Sequence, residues 1–282
     1  MWWRIWIQAF RKNRLAVVGA VIVILFLLLA IVGPYIAPFD PLKPNYRELL
    51  KPPSMEHLMG TDRMGRDIFS RVLYGSRFAF YIGFGVVVFE GVVGISLGIM
   101  AGYFGGVVDS VVMRFVDVML SIPALVLAIV IAGTSGGGLF TIIITMVIVS
   151  WAHFARLMRG QALQERERDY IEAARAIGAS HWHIIKRHIL PNTISIGIVF
   201  STLEIPWALM FSAALSYLGI GVKPPTPEWG TIIASGRDFL DSAWWIATFP
   251  GLVLMLVVLG FNFMGDGLRD AFDPKQYAKR ER

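Results

Sequence analysis

Apolar residues in this chain seldom alternate with polar ones; they gather in long runs separated by short charged segments. Six runs stand out: Leu15–Ala37, Phe78–Gly102, Val111–Gly133, Leu139–Met158, Thr193–Val222 and Ala243–Gly265. Each approaches or exceeds the ~20 residues a helix needs to cross hydrocarbon. The pattern therefore predicts an all-α membrane protein with six transmembrane helices. The first run holds 23 residues without a charge and is followed by Pro38, so it reads as an uncleaved span rather than a signal peptide. The third is the weakest, because Arg114 and Asp117 sit in its first turns and Pro123 follows. Those two charges, three positions apart, are expected to pair along the helix. The run "GTSGGG" (133–138) reads as the turn between spans three and four.

Composition agrees with this reading. The chain has 282 residues, 56% hydrophobic and 16% charged, whereas a soluble domain carries roughly 25% charged residues. Several spans and short loops use up that length and leave no room for a large soluble domain. A net charge of +6 would suggest nucleic acid on a soluble protein. Here it points to anionic lipid headgroups, and no nucleic-acid partner is expected. Cysteine is absent, which excludes disulfides and thiolate metal sites.

Placing the N-terminus inside puts 17 of the 26 Lys/Arg on the cytoplasmic side, including Arg4, Arg11, Lys12 and Arg14. Seven basic residues in the 38–77 loop conflict with that rule. The N-terminal tail and the tail after span six still favour both termini in the cytoplasm.

The charged segment "DYIEAARAIGASHWHIIKRHILPN" (169–192) lies in the longest inner loop. Asp169 followed by Glu172 resembles a capping box. "EAARAI" is then strongly helical by propensity. Gly178 interrupts the helix and Ser180 can cap a second one. Pro191 is expected to stop that helix by holding Leu190 extended, with Asn192 capping the next span. Ala173, Ala174, Ala176, Gly178 and Ala179 form a face with little side chain, open to close approach by another backbone. Ile177, Trp182, Ile184 and Ile185 are apolar without being long enough to span. Such a helix either seats on a protein partner or lies in the headgroup layer, and composition does not choose between them. His181, His183 and His188 lack the i, i+4 spacing of a helical zinc pair. No metal is expected there, and His57 and His153 read as isolated.

Glu90 falls mid-way along span two and Glu204 along span five. A carboxylate in hydrocarbon is costly, so each should face the bundle interior or water, as part of a substrate pathway or bonded to a neighbouring helix. The chain contains no G-x-x-x-x-G-K-[ST] loop and no catalytic constellation. It is expected to bind no cofactor and to be no enzyme; any nucleotide chemistry must lie on a partner.

Four motifs in order carry a resemblance. "EAARAIG" with a terminal Leu-Pro resembles the EAA signature of ABC importer permeases, matching at Glu172, Ala173, Ala174, Gly178, Leu190 and Pro191. The general pattern has Ile two before the Leu, where this chain has His188; "RHILPN" is similar to the peptide-importer branch. "EHLMGTDRMGRDIFSRVLYGSR" (56–77) resembles the outer stretch of dipeptide, oligopeptide and nickel importer permeases. "ALSYLGIGVKPPTPEWG" (214–230) and "WWIATFPGLVLMLVVLGFNFMGDGLRDAFDP" (244–274) are similar to the same branch. In the former, Pro224, Pro225 and Pro227 should stiffen an outer turn, with Trp229 anchoring at the interface. In the latter, Asp266, Arg269, Asp270 and Asp273 should mark the inner exit of span six.

The resemblance implies a type I ABC importer permease fold. Residues 1–37 would be a cytoplasmic tail and first helix, 38–77 an extracytoplasmic loop, 78–268 the core ABC transmembrane type-1 domain and 269–282 a cytoplasmic tail. The 169–190 segment would be the coupling helix. The implied partners are a homologous second permease, one or two ABC ATPase subunits holding ATP and Mg2+, and an extracytoplasmic solute-binding protein. Asp62, Arg66 and Asp67 would belong to an ion-paired loop facing that binding protein, while Arg71 and Arg77 read as able to snorkel to headgroups. The function so implied is peptide import across the inner membrane by alternating access. The rival is a proton-coupled secondary transporter using Glu90 or Glu204.

Overall fold

The computed structural model describes Phe10 and residues 13–272, and among them the only non-helical pairing is one isolated bridge between Thr61 and Asp67. Helix α1 (Arg14–Ile36) is capped by Asn13, whose side chain accepts from the Ala16 N–H at 3.2 Å. One side of α1 packs on the bundle; Val18, Val21, Leu25 and Ile31 on the other sides stay exposed, as a lipid-facing helix requires.

Helix α2 (Ile68–Phe104) has 37 residues, which makes it about 55 Å long. It starts ten residues before the predicted span, because Asp67 accepts from the Ser70 N–H at 2.7 Å and caps a new helical turn. Residues 68–77, expected as loop, are therefore helical.

The third expected span is broken. Helices α3 (Gly106–Ser121) and α4 (Ala124–Thr134) meet at 87°. Pro123 disfavours the helical conformation at Ile122, which is extended at φ −91° and ψ 128°. Five helices are thus long and apolar enough to cross a membrane, six if the bent pair counts as one. Asp117 does not pair with Arg114; it takes Arg156, within the run expected as span four. Asp109 likewise takes Arg159 through two bonds, one of them 2.6 Å. Of the two charges that weaken this span as a sequence, Asp117 is thus tied to a neighbouring helix.

Helix α5 (Leu139–Arg166) makes the most extensive helix packing in the molecule, against α2. Gly94, Gly98 and Gly102 lie on one face of α2, four residues apart. A β-carbon at Gly94 would stand 2.5 Å from the Phe154 Cβ, and one at Gly98 2.5 Å from the Ala155 carbonyl oxygen. Only hydrogen fits there, and the two backbones close on each other.

Helix α6 (Asp169–Ala176) is short, and helix α7 (His181–Tyr217) is long. Arg168, not Asp169, occupies the N-cap of α6; Asp169 is the first helical residue. Ser180 caps α7 as expected, accepting from the His183 N–H at 3.2 Å. Pro191 does not end the helix. Leu190 is helical at φ −58° and ψ −48°, and the chain passes through a wider π turn at Ile185–Ile189 directly before the proline. That turn gives room to a ring that otherwise clashes with the carbonyl four residues back. Asn192 caps nothing; its amide donates to the His188 carbonyl at 2.8 Å and to the Tyr170 hydroxyl at 3.1 Å.

Helix α8 (Trp229–Gly236) has no counterpart in the apolar pattern, and α9 (Trp245–Phe272) closes the bundle against α1 and α7. Asp266, Arg269 and Asp270 fall in the last turns of α9; Arg4, Arg11, Lys12, Asp273 and the rest of the C-terminal tail lie outside the described residues.

Candidate functional site

One end of the bundle carries α6 and the start of α7, joined by a left-handed turn at Gly178 (φ +80°). The apolar residues here split into two sets. Ile171, Ala174, Ile184, Ile185 and Ile189 point inward and pack with Ile99, Tyr103, Phe154 and Met158 from α2 and α5. The Tyr103 hydroxyl meets His181 Nδ1 at 2.9 Å, and the Arg175 guanidinium lies 5.5 Å from the Tyr103 ring centre. These contacts fix the position of the knuckle. The other set has no covering: Ile177 is 86% and Trp182 71% exposed. Around them, Glu172, Ala173, Ala176 and Gly178 are exposed as well, and no atom approaches within 4 Å of where a Gly178 β-carbon would be. Of the remaining residues singled out in the sequence, Ala174 is buried, Leu190 half-buried and Pro191 exposed. The structure gathers a small-residue surface with two bare apolar knobs on a rigid base.

The three histidines do not converge on one point. His181 is held by Tyr103, and the His183 and His188 ring centres stand 6.0 Å apart.

The other end carries the 38–67 loop. Asp62 accepts from the N–H groups of Met64 (2.8 Å) and Arg66 (3.0 Å) and from Arg66 Nε (2.7 Å). Asp67 accepts from the Ser70 N–H while its other oxygen meets His57 Nδ1 at 2.9 Å. His57 is therefore not isolated but buried against a carboxylate. Asp62, Arg66 and Asp67 are all buried, and these contacts lie within the loop and at its junction with α2. Arg71 does not snorkel. It is 2% exposed and its Nη1 donates to the Pro41 carbonyl at 2.8 Å. Arg77 stays near the surface, its Nε donating to the Tyr81 hydroxyl at 2.9 Å. Arg66 is paired with Asp62, and Arg71 Nε lies 3.9 Å from the same carboxylate; the seven basic residues of 38–77 still run against the charge rule.

Trp245 pins the loop to the bundle, its Nε1 donating to the Thr61 carbonyl at 3.1 Å, and Trp229 ties α8 to α2, its Nε1 donating to the Val72 carbonyl at 3.0 Å. Trp229, expected at the interface, is buried. Sequence reading missed Glu228. Its buried carboxylate caps α8, accepting from Gly230 N–H (2.9 Å), Thr231 N–H (2.8 Å) and the Ser216 hydroxyl (2.9 Å). A Glu directly before "WGT" was the available signal.

Inside the membrane, Glu90 is 1% exposed. It lies one turn before the row of Gly94, Gly98 and Gly102 on α2 and receives the Ser150 hydroxyl of α5. Glu204 on α7 is only half-buried.

Comparison with known proteins agrees with this architecture. The profile of the family described as "Binding-protein-dependent transport system inner membrane component" matches residues 94–276. A second, "N-terminal TM domain of oligopeptide transport permease C", matches residues 1–53. The chain is 42% identical over 270 residues to the probable D,D-dipeptide transport system permease protein of Escherichia coli (strain K12), covering 96% of this chain and 91% of that one. It is 39% identical over 273 residues to the oligopeptide transport system permease protein of Bacillus subtilis (strain 168), covering 97% and 90%. Among solved structures, an inward-facing crystal form of the MetNI methionine ABC transporter superposes with a TM-score of 0.58 at 22% identity, over 72% of this chain and 96% of that one. At that identity the likeness is one of fold.

Proposed function

The chain belongs to the family of binding-protein-dependent inner-membrane transport components, the permease subunits of ABC importers, and from that premise we propose that it forms half of the membrane pathway of a small-peptide importer. The relatives it matches are named for dipeptides, di/tripeptides, oligopeptides and glutathione, all of them short peptides. Its partners are then a homologous second permease, one or two ATPase subunits that carry ATP and Mg2+, and an extracytoplasmic binding protein.

The observation that carries this reading is the knuckle. Ile177 and Trp182 leave an apolar surface bare on an anchored base, and Ala173, Ala176 and Gly178 allow a partner's backbone close to it. An exposed apolar cluster ringed by polar groups is the mark of an interaction site. The ATPase subunit is the occupant, with Glu172, Ala173, Ala174, Gly178, Leu190 and Pro191 forming and supporting the contact. This assigns the knuckle to the cytoplasm and the 38–67 loop to the outer side.

The unbroken α7 explains how a push travels. It spans 37 residues from Trp182's turn to Tyr217, about 55 Å of helix. A displacement of the knuckle is carried into the bundle without a loop to absorb it, and the spans rock between inward- and outward-open arrangements. Glu204 rides on that helix with part of its side chain exposed, and it is the acid that lines the route. Glu90 stands behind it, joined to Ser150.

The test is reconstitution. The chain, with its co-expressed permease, ATPases and binding protein, should take up a short peptide in a vanadate-sensitive manner that an ionophore leaves intact. Uptake by this chain alone that collapses with an ionophore would overturn the proposal.

A further inference from the structure

A cavity of about 530 Å3 opens at the loop end of the bundle, between the 38–45 segment and the turn at 57–67. Asp40, Lys43, His57, Arg66 and Asp67 give its lining its charge. The buried acids there are already occupied: Asp67 takes His57 and the Ser70 N–H, and Asp62 behind it takes Arg66 Nε. The exposed Asp40 holds only the Leu42 N–H, at 2.9 Å, and forms no ion pair among the described residues.

The cations are not occupied in the same way. Arg66 has committed its backbone N–H and Nε to Asp62, but its two Nη nitrogens have no hydrogen-bond acceptor among the described residues. The exposed Lys43 forms no ion pair among them. Arg66 is 6% exposed, so its planar fork is held in place before any ligand arrives, and little further side-chain freedom is lost on binding. Arg47 and Arg63 add two more exposed cations to the same loop.

In the buried part of the cavity the acceptors are engaged while the Arg66 Nη donors are not, which calls for a ligand that accepts, and a carboxylate matches the guanidinium edge in shape and charge. A cavity of this volume admits more than a single ion. We propose that it is a socket for a loop of the extracytoplasmic binding protein bearing an Asp or Glu, whose carboxylate is gripped by the Arg66 Nη edge and by Lys43. The proposal rests on the reading of this chain as a permease with its 38–67 loop on the outer side. It also moves the docking role of that loop from three buried charges, Asp62, Arg66 and Asp67, to the free edge of one of them and an exposed neighbour.

The assembled transporter in lipid nanodiscs, with its own binding protein, supplies the test. A carbodiimide, which couples amines to carboxylates without a spacer, should join Lys43 to an acidic residue of the binding protein, located by mass spectrometry of the cross-linked peptide. Lys43→Arg should abolish the cross-link and keep the affinity. Lys43→Glu should weaken binding of the binding protein by tenfold or more, and Arg66→Lys, which loses the fork, by several-fold. Should Arg66→Lys fail to assemble, Lys43→Glu decides alone, because Lys43 is exposed and supports no fold contact. Wild-type affinity in Lys43→Glu, or a cross-link from Lys43 only to the second permease, overturns the socket. If the wild-type transporter itself shows no affinity for the binding protein, the underlying reading of the outer face has failed instead.

Discussion

Ser150 on α5 donates its hydroxyl to Glu90 on α2 at the end of the closest helix packing in the molecule, one turn beyond the row of Gly94, Gly98 and Gly102. The same hydroxyl lies 2.8 Å from the Met146 carbonyl, and Glu90 Oε1 has no partner among the described residues. One hydroxyl proton cannot serve both acceptors at once. A glutamine at position 90 can donate to the serine oxygen and leave the hydroxyl for Met146. Glu90→Gln should therefore retain wild-type thermal stability in detergent, whereas Glu90→Ala leaves an unfilled, unsatisfied site and should lose about 1–3 kcal/mol. Equal melting points for the two variants would count against the bond as a helix clamp.

The glycine row predicts a sharper loss. Gly98→Leu forces a branched side chain against the Ala155 carbonyl, 2.5 Å from the position of its β-carbon. No flexible group is there to give way. The expected cost is at least the ~1–3 kcal/mol of core overpacking, and a large drop in folded protein by size-exclusion chromatography. Gly133→Ala, where nothing stands within 4 Å, is the matched control and should express normally.

At the knuckle, Ile177→Glu and Trp182→Ala alter side chains that touch no part of the bundle core. Each should fold and insert normally yet release the ATPase subunits on purification, with vanadate-sensitive uptake falling at least tenfold. Gly178→Leu should show the same loss. It also adds strain, because φ +80° costs an L side chain roughly 1 kcal/mol. Retained ATPase in Ile177→Glu and Trp182→Ala would remove the knuckle from the coupling contact.

Glu228→Ala should loosen α8. It strips an N-cap and leaves the Gly230 and Thr231 N–H groups and the Ser216 hydroxyl without their acceptor. About 1–2 kcal/mol is expected from the cap alone. Hydrogen exchange should rise selectively over residues 229–236. Unchanged protection there would show that packing of Trp229 and Ile232 holds the helix without the cap.

Glu204→Gln should lower peptide uptake several-fold while leaving the assembly intact, since Glu204 has no hydrogen-bond partner to lose among the described residues. Wild-type uptake kinetics would return it to a structural role.

The features that could be read from the chain alone are those in which neighbours in sequence are also neighbours in space. Long apolar runs specify spans, because every backbone polar group in hydrocarbon must be satisfied within its own helix. Gly178 and Ser180 specify the turn and cap of the knuckle for the same local reason. Partner choice is different. Asp117 has Arg114 one turn away and takes Arg156 instead; His57 finds Asp67; Ile184 and Ile185 turn inward while Trp182 is left bare. Pro123 breaks its helix, and Pro191 does not. A proline or a charge states what it lacks, but whether a π turn, a carboxylate or a facing helix compensates it is decided only once the helices have packed.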